Sequence, residues 1–254
     1  MNKVLAVDIG SSRTHIGVVD MDGLRCVSRV NFDNSEFDVR FHSSIIKFVS
    51  AHPRIGAAHI TSCVKSLAAK AAALCKKEVL PDNVRVVKAH DALPVQNNYD
   101  NPQALGTDRL CNALACASLF AGRSCVIIDA GTALTIDYLH GGTLFGGGAI
   151  LPGCATQAEA LHRRTDALPL VKLGDIDDGL VALPATSTEG CIRAGILFGM
   201  AGAVERCTDE YLRLDANAKV VATGGGWDII EPLTGGHDIE TIPDLTLIGA
   251  AAYK

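Results

Sequence analysis

Asp8-Ile9-Gly10-Ser11-Ser12-Arg13-Thr14 and Asp129-Ala130-Gly131-Thr132-Ala133-Leu134-Thr135 share an aspartate, a glycine, a hydroxyl residue and a threonine at equal spacing, about 120 residues apart. Each copy ends an apolar stretch that reads as a strand. The aspartate then stands at a strand tip, and the glycine permits a tight turn and the close approach of a phosphate to backbone N–H groups. The hydroxyls of Ser11, Ser12 and Thr132 add donors. A carboxylate so placed suits Mg²⁺, a small hard cation that prefers oxygen ligands and keeps part of its water shell. One such turn is an ordinary hairpin connection. Two matched copies predict two similar lobes that face each other and grip a polyphosphate from both sides.

Thr223-Gly224-Gly225-Gly226 follows the apolar run 219–222. Bare backbone at the carboxyl end of a strand is where α/β sheets accept nucleotides, so this turn reads as an adenosine site. The segment from Tyr99 to Arg109 brings an acid and a base together at the start of a helical stretch. Two readings stand side by side for it. In one, Thr107 caps the helix, Asp108 complements its dipole and Arg109 is solvated. In the other, Asp108 takes a proton from a substrate hydroxyl while Arg109 positions the acceptor, the base and clamp that phosphoryl transfer needs.

Elements must hold these groups. Apolar runs predict strands over 3–7, 14–19, 24–30, 57–61, 84–88, 125–128, 134–139 and 219–222, and helices over 39–48 and 67–74. Leu110, Ala113, Leu114 and Ala117 form the i, i+3, i+4, i+7 stripe of an amphipathic helix, read as a hinge between the halves. The alternation of strand and helix is that of an α/β protein. Its expected domains are 1–108 and 109–254, with the boundary near 105–122. The run from Gly141 to Gly153 reads as a turn-rich connection that would also let two backbones approach closely.

Of 254 residues, 48% are hydrophobic and 20% charged, enough for a real core without staples. A net charge of −5 gives no general attraction to nucleic acid or to an anionic membrane surface. The nine cysteines are scattered without a CxxC pair, which argues against a disulfide framework and a zinc ribbon and for reduced thiols in the cytoplasm. The opening residues lack the apolar core of a signal peptide, and the uncharged stretch from Tyr138 to Ala158 holds six glycines and a proline, a poor membrane helix. No histidine pair has metal-ligand spacing, so the eight histidines receive no chemistry.

The chain resembles the type III pantothenate kinases of the acetate and sugar kinase, Hsp70 and actin superfamily. The likeness runs from end to end. It rests on Asp8-Ile9-Gly10, Ile60-Thr61-Ser62-Cys63-Val64, Tyr99-Asp100-Asn101-Pro102, Leu105-Gly106-Thr107-Asp108-Arg109 and the run from Asp129 to Asp137. It continues through the run from Phe145 to Gly153, Thr188 seven residues before Gly195, Thr223 to Gly226, and Pro243-Asp244-Leu245. The resemblance implies a duplicated ribonuclease-H-like (actin-like ATPase) fold, with two similar lobes of mixed central sheets flanked by helices. It also implies transfer of the ATP γ-phosphoryl group to the primary hydroxyl of pantothenate, the first step towards coenzyme A.

By the same resemblance, Asp108 would be the general base, and Tyr99, Gly106, Thr107, Asp108, Arg109 and Thr188 would contact pantothenate. Asp8, Ile9, Gly10, Ser11, Ser12, Arg13, Thr14 and His15 would bind ATP, together with Thr132. Asp129 would coordinate K⁺ or NH₄⁺, and Asp8 would hold Mg²⁺ through water. A homodimer is implied, with the acceptor pocket near the subunit interface. The family commonly has Asn-Thr where this chain has Ser11-Ser12, which removes an amide donor from the first turn. Another small-molecule kinase of the superfamily, or a nucleotide-binding regulatory homologue that has lost turnover, are the competing expectations.

Overall fold

The apolar run that opens the chain is β1 (Lys3–Ile9), and it is the hinge of a five-stranded sheet. The computed structural model describes residues 2–78, 81–91, 93–174 and 181–253. β2 (Arg13–Asp20) returns antiparallel to β1, and β3 (Arg25–Asp33) returns antiparallel to β2. Helix α1 (Phe37–Ala51) follows, burying Phe37, Phe41, Ile45 and Phe48 on one stripe. β4 (Ile55–Ser62) is parallel to β1, and after α2 (Lys65–Glu78), β5 (Val84–Val86) is parallel to β4. The order is β3-β2-β1-β4-β5. Its core is Leu5, Val7, Ile9, Ile16, Val18, Phe32 and Ile60 with the aromatic stripe of α1.

Two residues of β6 (Gln96–Asn97) then lead into α3 (Thr107–Leu119). Sheet building restarts with β7 (Cys125–Ala130), β8 (Ala133–His140) and β9 (Leu144–Pro152). Helices α4 (Cys154–Arg164) and α5 (Thr188–Leu214) precede β10 (Lys219–Thr223), which is parallel to β7. The chain closes with α6 (Trp227–Ile230), β11 (Ile239–Thr241), parallel to β10, and α7 (Leu245–Ala252). The second order, β9-β8-β7-β10-β11, repeats the first, and β6 lies beside β9. Contacts group Met1–Arg123, Leu139–Gly147 and Asp244–Lys254 into one compact unit, and Ser124–Tyr138 with Gly148–Pro243 into another.

Three expectations change. The glycine run 141–153 is mostly strand β9 rather than turns, and at Gly148 the backbones come closer than any side chain allows. A Cβ at Gly148 would lie 2.1 Å from Asp137 Oδ1 and 2.4 Å from the Ile136 carbonyl. Helix α3 is buried on every face from Arg109 to Cys116, not along one stripe. Its second side is covered by α7, where a Cβ on Gly249 would lie 1.7 Å from the Cys111 carbonyl. Lastly, the two acidic turns differ in length. Residues 10–12 separate β1 from β2, whereas only 131 and 132 separate β7 from β8. The counterpart of buried Thr14 is therefore Leu134, and the letter match with Thr135 is out of register.

Among the described residues no helix is long and apolar enough to cross a membrane. None of the nine cysteines is in a disulfide.

Candidate active site

The first acidic turn is closed by a bond from Gly10 N to Arg13 O of 2.9 Å. Ser11 and Ser12 are exposed at its tip, and Asp8 is half-buried at the end of β1. Behind the turn stands Asn34. Its Nδ2 donates to Gly10 O at 2.9 Å and Ser11 O at 3.3 Å, and its backbone N donates to Ser12 O at 2.9 Å. Thr14 Oγ1, fully buried, donates to Asn34 Oδ1 at 2.7 Å. Arg13 leans instead on β3, 3.4 Å from both Asp33 and Asn31. His15 pairs with Asp8 across the β1–β2 ladder, and burial and then Arg13 hold its imidazole below the ordinary value of 6.5.

Asp108 lies in the first turn of α3, whose start is fixed from β4. Thr61, in register with Asp8 on the parallel pair β1–β4, donates through its hydroxyl to Thr107 Oγ1 at 2.8 Å. Asp108 Oδ1 accepts from Arg109 N at 2.8 Å, and Cys63 Sγ lies 3.5 Å from Oδ2. A Cβ at Gly106 would sit 2.5 Å from Asp108 Oδ1, so glycine leaves the carboxylate its place. Beneath this corner is Cys111. Burial pushes its thiol well above the usual range, a hydrogen bond with Thr61 works against that, and the charges of Asp8 and Asp108 add to the rise. Asp8 is in register with Thr61 across β1–β4 and Thr61 bonds to Thr107, so two links lead from the turn aspartate to the residue before Asp108.

Arg109 is 5% exposed, and its guanidinium lies 5.5 Å from the ring centres of both Tyr99 and Phe145. It also donates to the Tyr99 hydroxyl. Such a box desolvates the cation and fixes its plane, which favours recognition of a planar anion or a polar acceptor. The box is built by β6. Gln96 and Asn97 pair with Leu144 and Phe145, and Asn97 Oδ1 accepts from Tyr99 N at 3.0 Å.

In the second unit, Asp129 is half-buried at the end of β7 and Thr132 is exposed in the turn. Gly153 N donates to Thr132 O at 2.9 Å, as does Thr156 Oγ1 at 2.7 Å. The turn from Thr223 to Gly226 packs directly on this strand end: Gly226 N donates to Ala130 O at 2.8 Å. At Gly224, with φ +94°, a Cβ would be 2.5 Å from the same carbonyl. The bare backbone there serves contact between the two turns. Thr188 is exposed at the first position of α5, behind the cap Ser187, whose side chain accepts from Gly190 N.

The structure therefore brings Asp8, Thr107 and Asp108 into one corner and joins Tyr99 to Arg109 nearby. Ile9, Gly10, Ser11, Ser12, Arg13, Thr14 and His15 form the strand–turn–strand as expected, while Thr132, Asp129 and Thr188 belong to the other unit. Sequence reading missed Asn34, gave Thr61 and Phe145 no role, and passed over Asn97. Asp33-Asn34-Ser35-Glu36 does carry a capping pattern, with Asp33 N donating to Glu36 Oε2 at 3.4 Å. That pattern marks a chain reversal and says nothing of what the asparagine grips.

Among the described residues no three His, Cys, Asp or Glu side chains gather into a cage for a metal. Asp8 and Asp129 each place one carboxylate near the end of a strand, β1 and β7, an oxygen donor of the kind a hard cation takes.

Two repeats of one mixed sheet, each with an acidic turn after its first strand, define the α/β class of the actin-like ATPases and sugar kinases. A Campylobacter jejuni structure provisionally described as a Baf family transcriptional activator superposes with a TM-score of 0.59 at 19% identity, covering 97% of this chain and 94% of that one. A ROK family glucokinase from Streptomyces griseus, in complex with glucose and AMPPNP, gives 0.50 at 17% identity over 98% of each chain. These likenesses speak for the fold. The family model for type III pantothenate kinase matches residues 4–210, and the chain belongs to that family. The type III pantothenate kinase of Desulfotalea psychrophila is 31% identical over 97% of this chain and 95% of its own. That of Rubrobacter xylanophilus is 40% identical over 62% of this chain and 60% of its own length.

Proposed function

We propose that the chain transfers the γ-phosphoryl group of ATP to the primary hydroxyl of pantothenate, giving 4′-phosphopantothenate and ADP on the way to coenzyme A. The observation that carries this reading is the corner at the start of α3. There a carboxylate anchored by its own helix amide follows Thr107, which Thr61 ties to the strand paired with the turn aspartate, and precedes an arginine boxed by two aromatic rings. Membership of the family supplies the acceptor.

In this reading Asp108 takes the hydroxyl proton as the oxygen bonds to the γ-phosphorus, and the bond to the β-phosphate oxygen breaks to release ADP. Tyr99, Gly106, Thr107 and Arg109 orient the acceptor, with Thr188 as a further contact. The segment from Asp8 to His15 holds the nucleotide phosphates, with Thr132 adding a hydroxyl. Asp8 would hold Mg²⁺ and Asp129 would hold K⁺ or NH₄⁺, and bound cations would neutralise charge on the phosphates. The active form is a homodimer that works in the cytoplasm.

The test is ADP release in K⁺ buffer with pantothenate, sugars or acetate as acceptor. Release that depends on pantothenate is expected. Equal release without it, or preference for a sugar, overturns the reading.

A further inference from the structure

We propose that Asn34 is the positioning residue of the first phosphate-binding turn, holding its carbonyls back so that only its N–H edge and hydroxyls meet the nucleotide phosphates. Three successive carbonyls, those of Gly10, Ser11 and Ser12, all end on Asn34: the first two on the side-chain Nδ2 and the third on the backbone N. In a trans peptide the C=O and the following N–H lie on opposite edges of one plane. Turning the Gly10 and Ser11 carbonyls towards Asn34 therefore turns the N–H groups of Ser11 and Ser12 the other way. A carbonyl facing a phosphate repels it; an N–H attracts it.

The orientation of the amide is fixed from both ends. Its Nδ2 meets two carbonyls, which only an NH₂ satisfies, and its Oδ1 receives the buried Thr14 hydroxyl. The backbone of Asn34 is itself set in the short 3₁₀ turn Asn34–Glu36. Ser11 and Ser12 carry hydroxyls alone, so the amide of this turn arrives from the end of β3. The second turn keeps the matching backbone bond, Gly153 N to Thr132 O, but has no space for the side chain. A Cβ at Gly153 would lie 2.1 Å from Gly131 O and 2.7 Å from Thr132 O. The amide clamp belongs to the first turn alone.

Because the clamp presumes that Asp8–His15 holds ATP, as proposed above, its test compares nucleotides. Dissociation constants for Mg-ATP, Mg-ADP and AMP are measured by calorimetry for the unaltered chain and for Asn34→Ala, Asn34→Asp and Thr14→Val. Asn34→Ala is expected to weaken ATP about tenfold, the scale of one lost hydrogen bond, and AMP much less. Asn34→Asp weakens ATP further, since a carboxylate cannot donate to the two carbonyls and repels the phosphates. Thr14→Val, which keeps the buried shape and releases the amide to rotate, moves binding in the same selective direction and decides the matter should the Asn34 variants not fold. The KM for pantothenate stays as it was in each. Equal weakening of all three nucleotides, or ATP bound by Asn34→Asp as tightly as by the unaltered chain, overturns the clamp. Failure of the unaltered chain to bind ATP overturns the nucleotide reading itself, and the clamp with it.

Discussion

The hydroxyl of Thr61 donates to that of Thr107 across 2.8 Å, tying the end of β4 to the residue before Asp108. Thr61 is fully buried and in register with Asp8, so one side chain sets the strand beside the turn aspartate against the helix that carries the proposed base. Thr61→Val keeps the shape and removes the bond. The expected result is a fall in kcat of about tenfold with a small change in either KM, because a displacement of well under 1 Å at the base is enough to slow transfer. Thr61→Ser restores the rate. Steady-state kinetics of the pair check this, and a valine variant at full kcat would contradict it.

The aromatic box gives a second, separable outcome. Arg109→Lys replaces a planar guanidinium held between Tyr99 and Phe145 with a point charge that cannot fill the same slot. The KM for pantothenate should rise about ten- to hundredfold while that for ATP holds. Tyr99→Phe removes only the phenolic partner and should cost about tenfold or less. Equal rises in both KM values would mean that the arginine supports the fold rather than the acceptor.

Much of this was readable beforehand, and the exceptions share a cause. Strands β1, β2, β4, β7, β8 and β10 follow from apolar runs bounded by turns, because a strand covered on both faces needs nothing else. β9 was hidden, since Gly148 fits against Asp137 and Ile136 across the sheet where no Cβ could, and local propensity opposes a glycine-rich strand. Helix α7 is apolar on nearly every face, and β6 is too short to show a period. At the candidate site, Asp8, Asp108 and Arg109 stand out in the sequence by residue type. Asn34 and Thr61 did not, because their role lies in partners 20 to 46 residues away in sequence.

A pH dependence follows from His59. It is 7% exposed, its Nδ1 donates to Ala250 O at 3.0 Å, and burial holds its imidazole below the ordinary value of 6.5. Above that value the ring is neutral folded or unfolded and contributes nothing. As pH falls through 6.5 the unfolded chain takes up the proton first, so stability declines until the folded ring titrates too. His15, also depressed mainly by burial, acts in the same direction. The urea midpoint should therefore drop between pH 7.5 and 5.5, and His59→Gln should shrink that drop. A midpoint that rises over this range, or an unaltered drop in the variant, would contradict the assignment.

The most direct measurement is transfer of labelled γ-phosphate from ATP to pantothenate by Asp108→Asn, with ATP binding followed by calorimetry on the same sample. The substitution keeps the shape of the side chain and the contact from Arg109 N while removing the basic oxygen. Turnover is expected to fall by roughly 10²- to 10⁴-fold with ATP affinity unchanged. Full turnover in that variant would contradict the role of Asp108 as the base.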